Sequence, residues 1–466
     1  MIPLGAFQGR TFVIAGLGKS GRGALAALSA AGAKAFAWDD DAESRARAGA
    51  HALPAIAAID WSGIDAVIWS PGIAHTLPKP HPLAAAARAA GVPLVCDADL
   101  LARAKPDCVF IGVTGTNGKS TVTSLIAHVI ASSGRPCAAG GNLGTAALDL
   151  PDLPAGGVYV LELSSYQLEL VPSLRPDIAV HLNISPDHLE RHGNLAGYVA
   201  AKARLFDHPA AGGVAIVATD DADSRGIAAA VQARADWRFL PVATEAVAKG
   251  GVYVQAGHLI DAAEGTPEHI LDLAEVPVLT GRHNHQNAAA AYAAARAAGV
   301  SVAAAVAGLR TYPGLAHRQE RVGEANGVLY VNDSKATNAD AAEKALTAYD
   351  TLFWILGGQA KAGGIAPLRR HFPRIVKAYL IGEAAGQFAR TIGDAIPCEH
   401  CGTLDVATAR ARAEAEAFAA AHPGSRPVVM LSPACASWDQ FASFEARGDA
   451  FRAMVRDIAA AAGGAS

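Results

Sequence analysis

Cys108-Val-Phe-Ile-Gly-Val-Thr-Gly-Thr-Asn-Gly-Lys-Ser-Thr-Val-Thr123 is the stretch on which the reading of the fold turns. Val109 to Val113 is β-branched and aromatic, the composition of a buried strand, and it breaks into a loop holding Gly115 and Gly118. Leu125, Ile126, Val129 and Ile130 then follow at helical spacing. A strand, a glycine loop and a helix in this order aim successive backbone N–H groups into one concavity at the positive end of a helix, which suits polyanionic phosphate. Lys119 would add charge at the outer phosphates, and Ser120 a hydroxyl for Mg²⁺. The strict phosphate-loop spacing is not met, because its first glycine would fall on Val113. An ordinary strand-to-helix turn with a solvated lysine is the alternative.

Upstream, Thr11 to Ala15 is a second apolar strand, running into Gly16-Leu-Gly18-Lys-Ser-Gly21 and an alanine-rich helix. The strand Ala33 to Trp38 then ends in Asp39-Asp40-Asp41, an acidic residue about twenty positions after the glycines, as in a dinucleotide fingerprint. A further strand, Ala66 to Ser70, ends at Pro71-Gly72. Strand ends in an open parallel sheet are where ligands gather, so Gly18, Asp39 and Gly72 are candidates for one crevice. A nicotinamide dehydrogenase is one reading of this region; against it stands the second phosphate site, which hydride transfer does not need.

Downstream, Val158-Tyr-Val-Leu-Glu162 delivers a carboxylate at the end of an apolar strand, where phosphate-loop enzymes hold Mg²⁺. A structural acid is the competing reading. After the strand Ile178 to Leu182, the run Asp187-His188-Leu-Glu190-Arg191-His192 is dense in metal-capable groups, although Asp187 and His188 could also cap a helix. Lys202 sits among small residues of an amphipathic helix, where a solvated lysine is the default. Asn284 and Asn287, near the start of an alanine-rich helix, suit recognition of a purine or phosphate. Later, the strand Val328 to Val331 opens into Asn332-Asp-Ser-Lys-Ala-Thr-Asn338, and Val428 to Leu431 into Ser432-Pro-Ala-Cys-Ala-Ser437. Alternating strands and helices throughout indicate α/β layers.

Size sets about three domains for 466 residues. The boundaries read as 1–97, 98–314 and 315–466. With 51% hydrophobic and 18% charged residues the chain has ample core, and its net charge of −4 gives no case for nucleic acid or an anionic membrane as partner. Six cysteines argue for a reducing compartment. Cys398-x-x-Cys401 has no second pair, so an incidental strand-edge pair is the simpler reading than zinc. No signal-peptide pattern opens the chain, and Arg296 interrupts the alanine-rich stretch from Ala288 to Leu309, which reads as a pair of soluble helices. The cytoplasm is the expected location.

Taken together, these stretches resemble the Mur ligase family of bacterial cell-wall synthesis. The motifs are Gly16-Leu-Gly18, Ser70-Pro-Gly-Ile-Ala74, Gly115-Thr-Asn-Gly-Lys-Ser-Thr121, Gly140-Gly-Asn-Leu-Gly144, Leu161-Glu-Leu-Ser-Ser165, His283-Asn284, His317-Arg318, Asn332 to Asn338 and Ser432 to Ser437. The last favours the D-glutamate-adding branch, and the Asp-Asn-Pro-Arg of the diamino-acid-adding branch is missing. The resemblance implies an N-terminal Rossmann-like UDP-binding domain, a central P-loop ATPase-type domain and a C-terminal Rossmann-like domain. It implies ATP and two Mg²⁺ as cofactors, UDP-N-acetylmuramoyl-L-alanine and D-glutamate as substrates, and a monomer. By the same resemblance Gly115, Thr116, Asn117, Gly118, Lys119, Ser120 and Thr121 would hold the ATP phosphates, with Asn287, Arg318 and Asp333 also on ATP. Ser120, Glu162, His188 and Lys202 would serve the metals, Lys202 as a carbamate, which overturns the default reading of that lysine. Leu17, Lys19, Asp39, Gly72, Asn142, Gln167 and His188 would hold the UDP-sugar, and Lys335, Thr337, Lys361, Ser437 and Phe444 D-glutamate. The sequence departs from the family pattern in having no aromatic of the expected kind after Arg191 and in the composition of the loop Gln359 to Gly364.

Overall fold

Apolar runs four to six residues long, flanked by glycine turns, form strands buried on both faces, as parallel sheets require. Thr11–Ala15 is the pattern in miniature: Phe12, Val13 and Ile14 have no exposed surface. The computed structural model describes residues 2–142, 144–244, 246–360 and 364–463. Its strands build three sheets, distributed over two compact units, Met1–Tyr312 and Pro313–Ser466.

In the first unit, one sheet is all parallel and runs Lys34–Trp38, Thr11–Ala15, Ala66–Trp69, Leu94–Val95 from edge to edge. The second sheet has nine strands. Val109–Thr114 lies inside it, between Val158–Glu162 and Ile178–His181 and parallel to both, so the loops after these three strands open on one edge of the sheet. Behind it pack the phosphate-loop helix Lys119–Ser132 and the alanine-rich helices Arg282–Ala297 and Val302–Thr311. Ala288 to Ala295 is buried throughout, which explains the composition: small side chains let that helix lie close against its neighbours. The strands Val252–Gln255, His258–Asp261 and Glu268–Asp272 turn antiparallel and extend the sheet, a feature the sequence reading lacks.

The second unit holds one six-stranded sheet, ordered Glu320–Ala325, Val328–Asn332, Val428–Leu431, Leu352–Gly357, Ile375–Ile381, Cys398–Gly402. Only the first pair is antiparallel. The loops after Asn332, Leu431 and Gly357 therefore leave the carboxyl ends of three adjacent strands. Cys398 and Cys401 lie on the edge strand. No described helix is long and apolar enough to cross a membrane.

Candidate active site

The phosphate loop owes its shape to two glycines. Gly115 has φ +152° and Gly118 φ +82°, and a Cβ on Gly118 would stand 2.4 Å from the Asn287 Oδ1. Such a close approach leaves room for no other residue. Asn183, at the end of the neighbouring strand, fixes the loop from outside: its Oδ1 accepts from the Asn117 N–H at 2.8 Å and its Nδ2 donates to the Asn117 carbonyl at 3.1 Å. Thr116 N–H donates to the Asn183 carbonyl at 2.8 Å. The Thr116 hydroxyl lies 3.1 Å from the Tyr198 hydroxyl. Lys119 Nζ folds back to donate to the carbonyls of Gly115 and Thr116, each at 2.9 Å. Ser120 is buried in the first turn of its helix.

Lys202 is not a solvated lysine. It is 1% exposed, donates to the Gly115 carbonyl at 2.8 Å, and lies 4.7 Å from the centre of the Tyr198 ring. Burial, reinforced by the like charge of Lys119, brings its ammonium down to about 7. An amine so placed is uncharged in about half of the molecules at pH 7, where an ordinary lysine is almost wholly protonated. Glu162 is 2% exposed. Its Oε1 accepts from Asn142 Nδ2 at 2.7 Å, whereas its buried Oε2 has no hydrogen-bond partner among the described residues. A buried carboxylate oxygen without a donor is costly unless a cation completes it. Glu162, Ser120 and an amine able to take up CO₂ therefore fit a magnesium ion chemically. Among the described residues no three His, Cys, Asp or Glu side chains gather to hold a metal.

His188 adopts a left-handed conformation, φ +51°, at the head of the short helix Leu189–His192. Its ring is half-exposed, 3.5 Å from Asp187 and 5.0 Å from the Tyr166 ring centre. His192, the residue after Arg191, stacks on Tyr166 with ring centres 5.5 Å apart.

At the first sheet, Gly16 has φ +86° and a Cβ there would meet the Ser70 hydroxyl at 2.7 Å. Asp39 Oδ2 accepts from the Leu17 N–H at 2.6 Å and its Oδ1 from the Asp41 N–H at 2.9 Å. The loops carrying Leu17, Asp39 and Gly72 thus adjoin. The acid's first task here is holding the glycine loop rather than facing solvent for a ribose. Lys19 donates to the Gly144 carbonyl. Gln167 is buried, its amide oxygen closing a capping box with the Ser164 N–H at 3.0 Å.

In the second unit, Asp333 accepts from the Ser432 hydroxyl at 2.7 Å and the Gln319 N–H at 3.1 Å, and burial pushes its carboxyl up to about 7. Arg318 is among the charges that oppose that rise. Lys335 lies 5.3 Å from the centre of the Phe444 ring, Thr337 N–H donates to the Lys335 carbonyl, and Ser437 is buried. Lys361 lies outside the described residues. Arg447 went unnoticed in the sequence. It is 1% exposed and donates to Ser334 Oγ and to the carbonyls of Ser334, Cys435 and Ala436, tying the loop after Asn332 to the loop after Leu431. One arginine in an otherwise ordinary helix carries no spacing signal. Tyr198 and Asn183 were likewise visible only as helix and strand-end residues.

Two family models match the chain: the Mur ligase middle domain over residues 113–295, and the Mur ligase, glutamate ligase domain over residues 317–435. Relatives named UDP-N-acetylmuramoylalanine--D-glutamate ligase are similar over their full length. That of Paramagnetospirillum magneticum is 53% identical over 461 residues, 98% of each chain. That of Rhodospirillum rubrum is 51% identical over 466 residues, 98% of this chain and 97% of the relative. That of Caulobacter vibrioides is 49% identical over 474 residues and all of both chains. Among solved structures, a MurF from Acinetobacter baumannii shares the fold with a TM-score of 0.56 at 21% identity, over 77% of this chain and 79% of that one. MurC, a UDP-N-acetylmuramate-alanine ligase from Thermotoga maritima, does so with a TM-score of 0.56 at 14% identity, over 96% and 99%.

Proposed function

Because the chain belongs to the Mur ligase family, we propose from the geometry above which residues carry out its reaction. The protein joins D-glutamate to UDP-N-acetylmuramoyl-L-alanine at the expense of ATP, a step of peptidoglycan synthesis. A carboxylate is a poor electrophile, so the alanyl carboxylate is first phosphorylated to an acyl phosphate. The D-glutamate amine then attacks its carbonyl carbon, and phosphate leaves from the tetrahedral species.

The phosphoryl transfer brings two anions together, and this chain's residues must offset that repulsion. Gly115 to Thr121 supply the backbone donors for the ATP phosphates, and Lys119, already aimed across the loop, supplies a charge for the outer ones. Asn287, packed against Gly118, takes the nucleotide side; Arg318 and Asp333 are assigned to ATP as well. Ser120, Glu162, His188 and a carbamate on Lys202 would hold two magnesium ions. When bound, they neutralise charge on the transferring phosphoryl group. The orphaned oxygen of Glu162, within electrostatic reach of an amine lowered to about 7, is the observation that carries this assignment. Leu17, Lys19, Asp39, Gly72, Asn142 and Gln167 are assigned to the UDP-sugar, and Lys335, Thr337, Lys361, Ser437 and Phe444 to D-glutamate.

In domain terms this reading divides the chain at 1–97, 98–314 and 315–466, in sequence order a Rossmann-like, an ATPase-type and a Rossmann-like domain, and it takes the working form as a monomer. Both ATP and a UDP-linked precursor are cytoplasmic metabolites, which places the reaction in the cytoplasm. The test is phosphate release from ATP with Mg²⁺, UDP-N-acetylmuramoyl-L-alanine and a panel of amino acids. Release that requires D-glutamate is the expected result. Equal release with L-glutamate, or none, would overturn the reading.

A further inference from the structure

Three segments of the first unit meet at a carboxylate to which no role has been given. His75, 4% exposed, stands after the loop Pro71-Gly72-Ile73, and its Nε2 is 3.0 Å from Glu169 Oε2. Glu169 follows the helix Ser165–Leu168, and its other oxygen faces His192 Nδ1 at 3.4 Å. His192, whose side chain is 2% exposed, reaches the Ser165 hydroxyl with Nε2 at 2.9 Å. Burial holds the His192 ring below its ordinary value. Its neutral tautomer with the proton on Nδ1 then satisfies both neighbours, donating towards Glu169 and accepting from Ser165. One carboxylate therefore sits between two buried imidazoles, one in the loop after Ala66–Trp69 of the four-stranded sheet and one in the short helix that follows Ile178–His181 of the nine-stranded sheet.

Arg191, beside His192, adds to the same bridge. Its guanidinium donates to the carbonyls of Gly72 at 3.0 Å and Ile73 at 3.2 Å while lying 4.3 Å from the centre of the Tyr166 ring. The bridge joins the loop carrying Gly72 to the turn carrying His188, and it passes through the segment just after Glu162. On its far side His192 packs against Tyr198, ring centres 5.5 Å apart, and the Tyr198 hydroxyl meets that of Thr116 in the phosphate loop. The two ends of the bridge are the places assigned above to the donor sugar and to the metal.

We propose that Glu169 is a positioning residue: by spanning His75 and His192 it sets the separation between the donor-substrate loop at Gly72 and the metal-side turn at His188, and so places the donor carboxylate for phosphorylation. This rests on the functional reading above. Reaction rates are sensitive to such placement because a displacement of about 1 Å costs on the order of a hundredfold. Reach, rather than charge, is the property that matters. Glu169→Asp keeps the charge but is one methylene too short to touch both rings, whereas Glu169→Gln keeps the length, its oxygen accepting from His75 and its NH₂ donating to His192 Nδ1, with the His192 proton moved to Nε2 to donate to Ser165.

The experiment measures kcat for wild type, Glu169→Ala, Glu169→Asp and Glu169→Gln in the full chain, together with calorimetric affinities for UDP-N-acetylmuramoyl-L-alanine and for ATP taken separately. Expected are a fall in kcat of tenfold or more in Ala and Asp, recovery to within threefold of wild type in Gln, and both affinities within twofold throughout. A kcat within twofold in Glu169→Ala overturns the proposal. Activity retained by Asp and lost by Gln overturns it too, because charge would then be the cause, and so does a parallel collapse of both affinities, which marks mere support of the fold. Should Glu169→Ala not fold, His75→Gln against His75→Ala applies the same criterion, since glutamine restores a donor towards Glu169. A silent wild type overturns the functional reading and this inference with it; an active wild type with an indifferent Glu169→Ala overturns the inference alone.

Discussion

Replacing Lys202 by methionine separates what that residue does for the reaction from what it does to the fold. The lysine is 1% exposed, has a carbonyl and a ring for company, and is brought from 10.5 to about 7. Between these values the unfolded chain holds a proton that the folded chain has given up, so folding stability rises with pH across the window. Below pH 7 the cost of the buried amine is complete, and above 10.5 it vanishes. Linkage puts the cost at about 4 kcal/mol at pH 7.5 and about 2 kcal/mol at pH 9. Methionine has nearly the same shape and no charge, and exchange of buried ions for apolar residues gains about 1–4 kcal/mol in other proteins. In carbonate-free, metal-free buffer, Lys202→Met should thus unfold at higher urea than wild type at pH 7.5, with the gap narrowing by about 2 kcal/mol at pH 9. Its ligase activity should fall on the order of a hundredfold or more. Lys202→Ala should lose activity similarly, with formate or acetate restoring part of it by standing in for the carbamate. A variant less stable than wild type, or a gap indifferent to pH, would refute the account of the buried amine; retained activity would refute its role.

Glu162→Gln keeps an acceptor for Asn142 but removes the charge at the unpartnered oxygen; stability should hold within about 1 kcal/mol while kcat drops on the order of a hundredfold, and a magnesium titration should need more metal for half-maximal rate. Gly118→Ala forces a side chain into a left-handed position against Asn287, so urea denaturation should show a loss of about 1–3 kcal/mol and the KM for ATP should rise. Asp333, raised from 3.8 to about 7, keeps in the folded state a proton the unfolded chain has released. Its contribution to stability therefore falls as pH rises between those values, by up to about 4 kcal/mol. Asp333→Asn should lack that fall when both proteins are unfolded at pH 5 and pH 8.

The strand-loop-helix at Val109 to Thr123 was legible because period, glycine placement and the lysine agree on one structure. So were the alanine-rich helices and the acid at the end of Val158–Glu162. The antiparallel strands from Val252 to Asp272 were not. They are short, interrupted by polar residues and partly exposed, and their pairing is decided by neighbours that a linear pattern does not reveal. Lys202 is the sharpest case. Its sequence surroundings are those of any helix surface, and only the packing of Tyr198 and the Gly115 carbonyl around it makes the amine a buried one. Arg447 and Glu169 illustrate the same limit, since each joins segments far apart in the chain and leaves no periodic trace. Gln167 went the other way: read as a substrate contact, its side chain is already engaged in capping a helix, so any contact with the sugar must use what that cap leaves over.

The account rests on a carboxylate made reactive by transfer of a phosphoryl group gripped at Gly115 to Thr121. The most direct measurement labels the alanyl carboxylate of UDP-N-acetylmuramoyl-L-alanine with ¹⁸O and follows turnover with ATP, Mg²⁺ and D-glutamate by mass spectrometry of the released inorganic phosphate. An acyl phosphate predicts one labelled oxygen carried into phosphate at each turnover. Unlabelled phosphate released alongside amide product would contradict it.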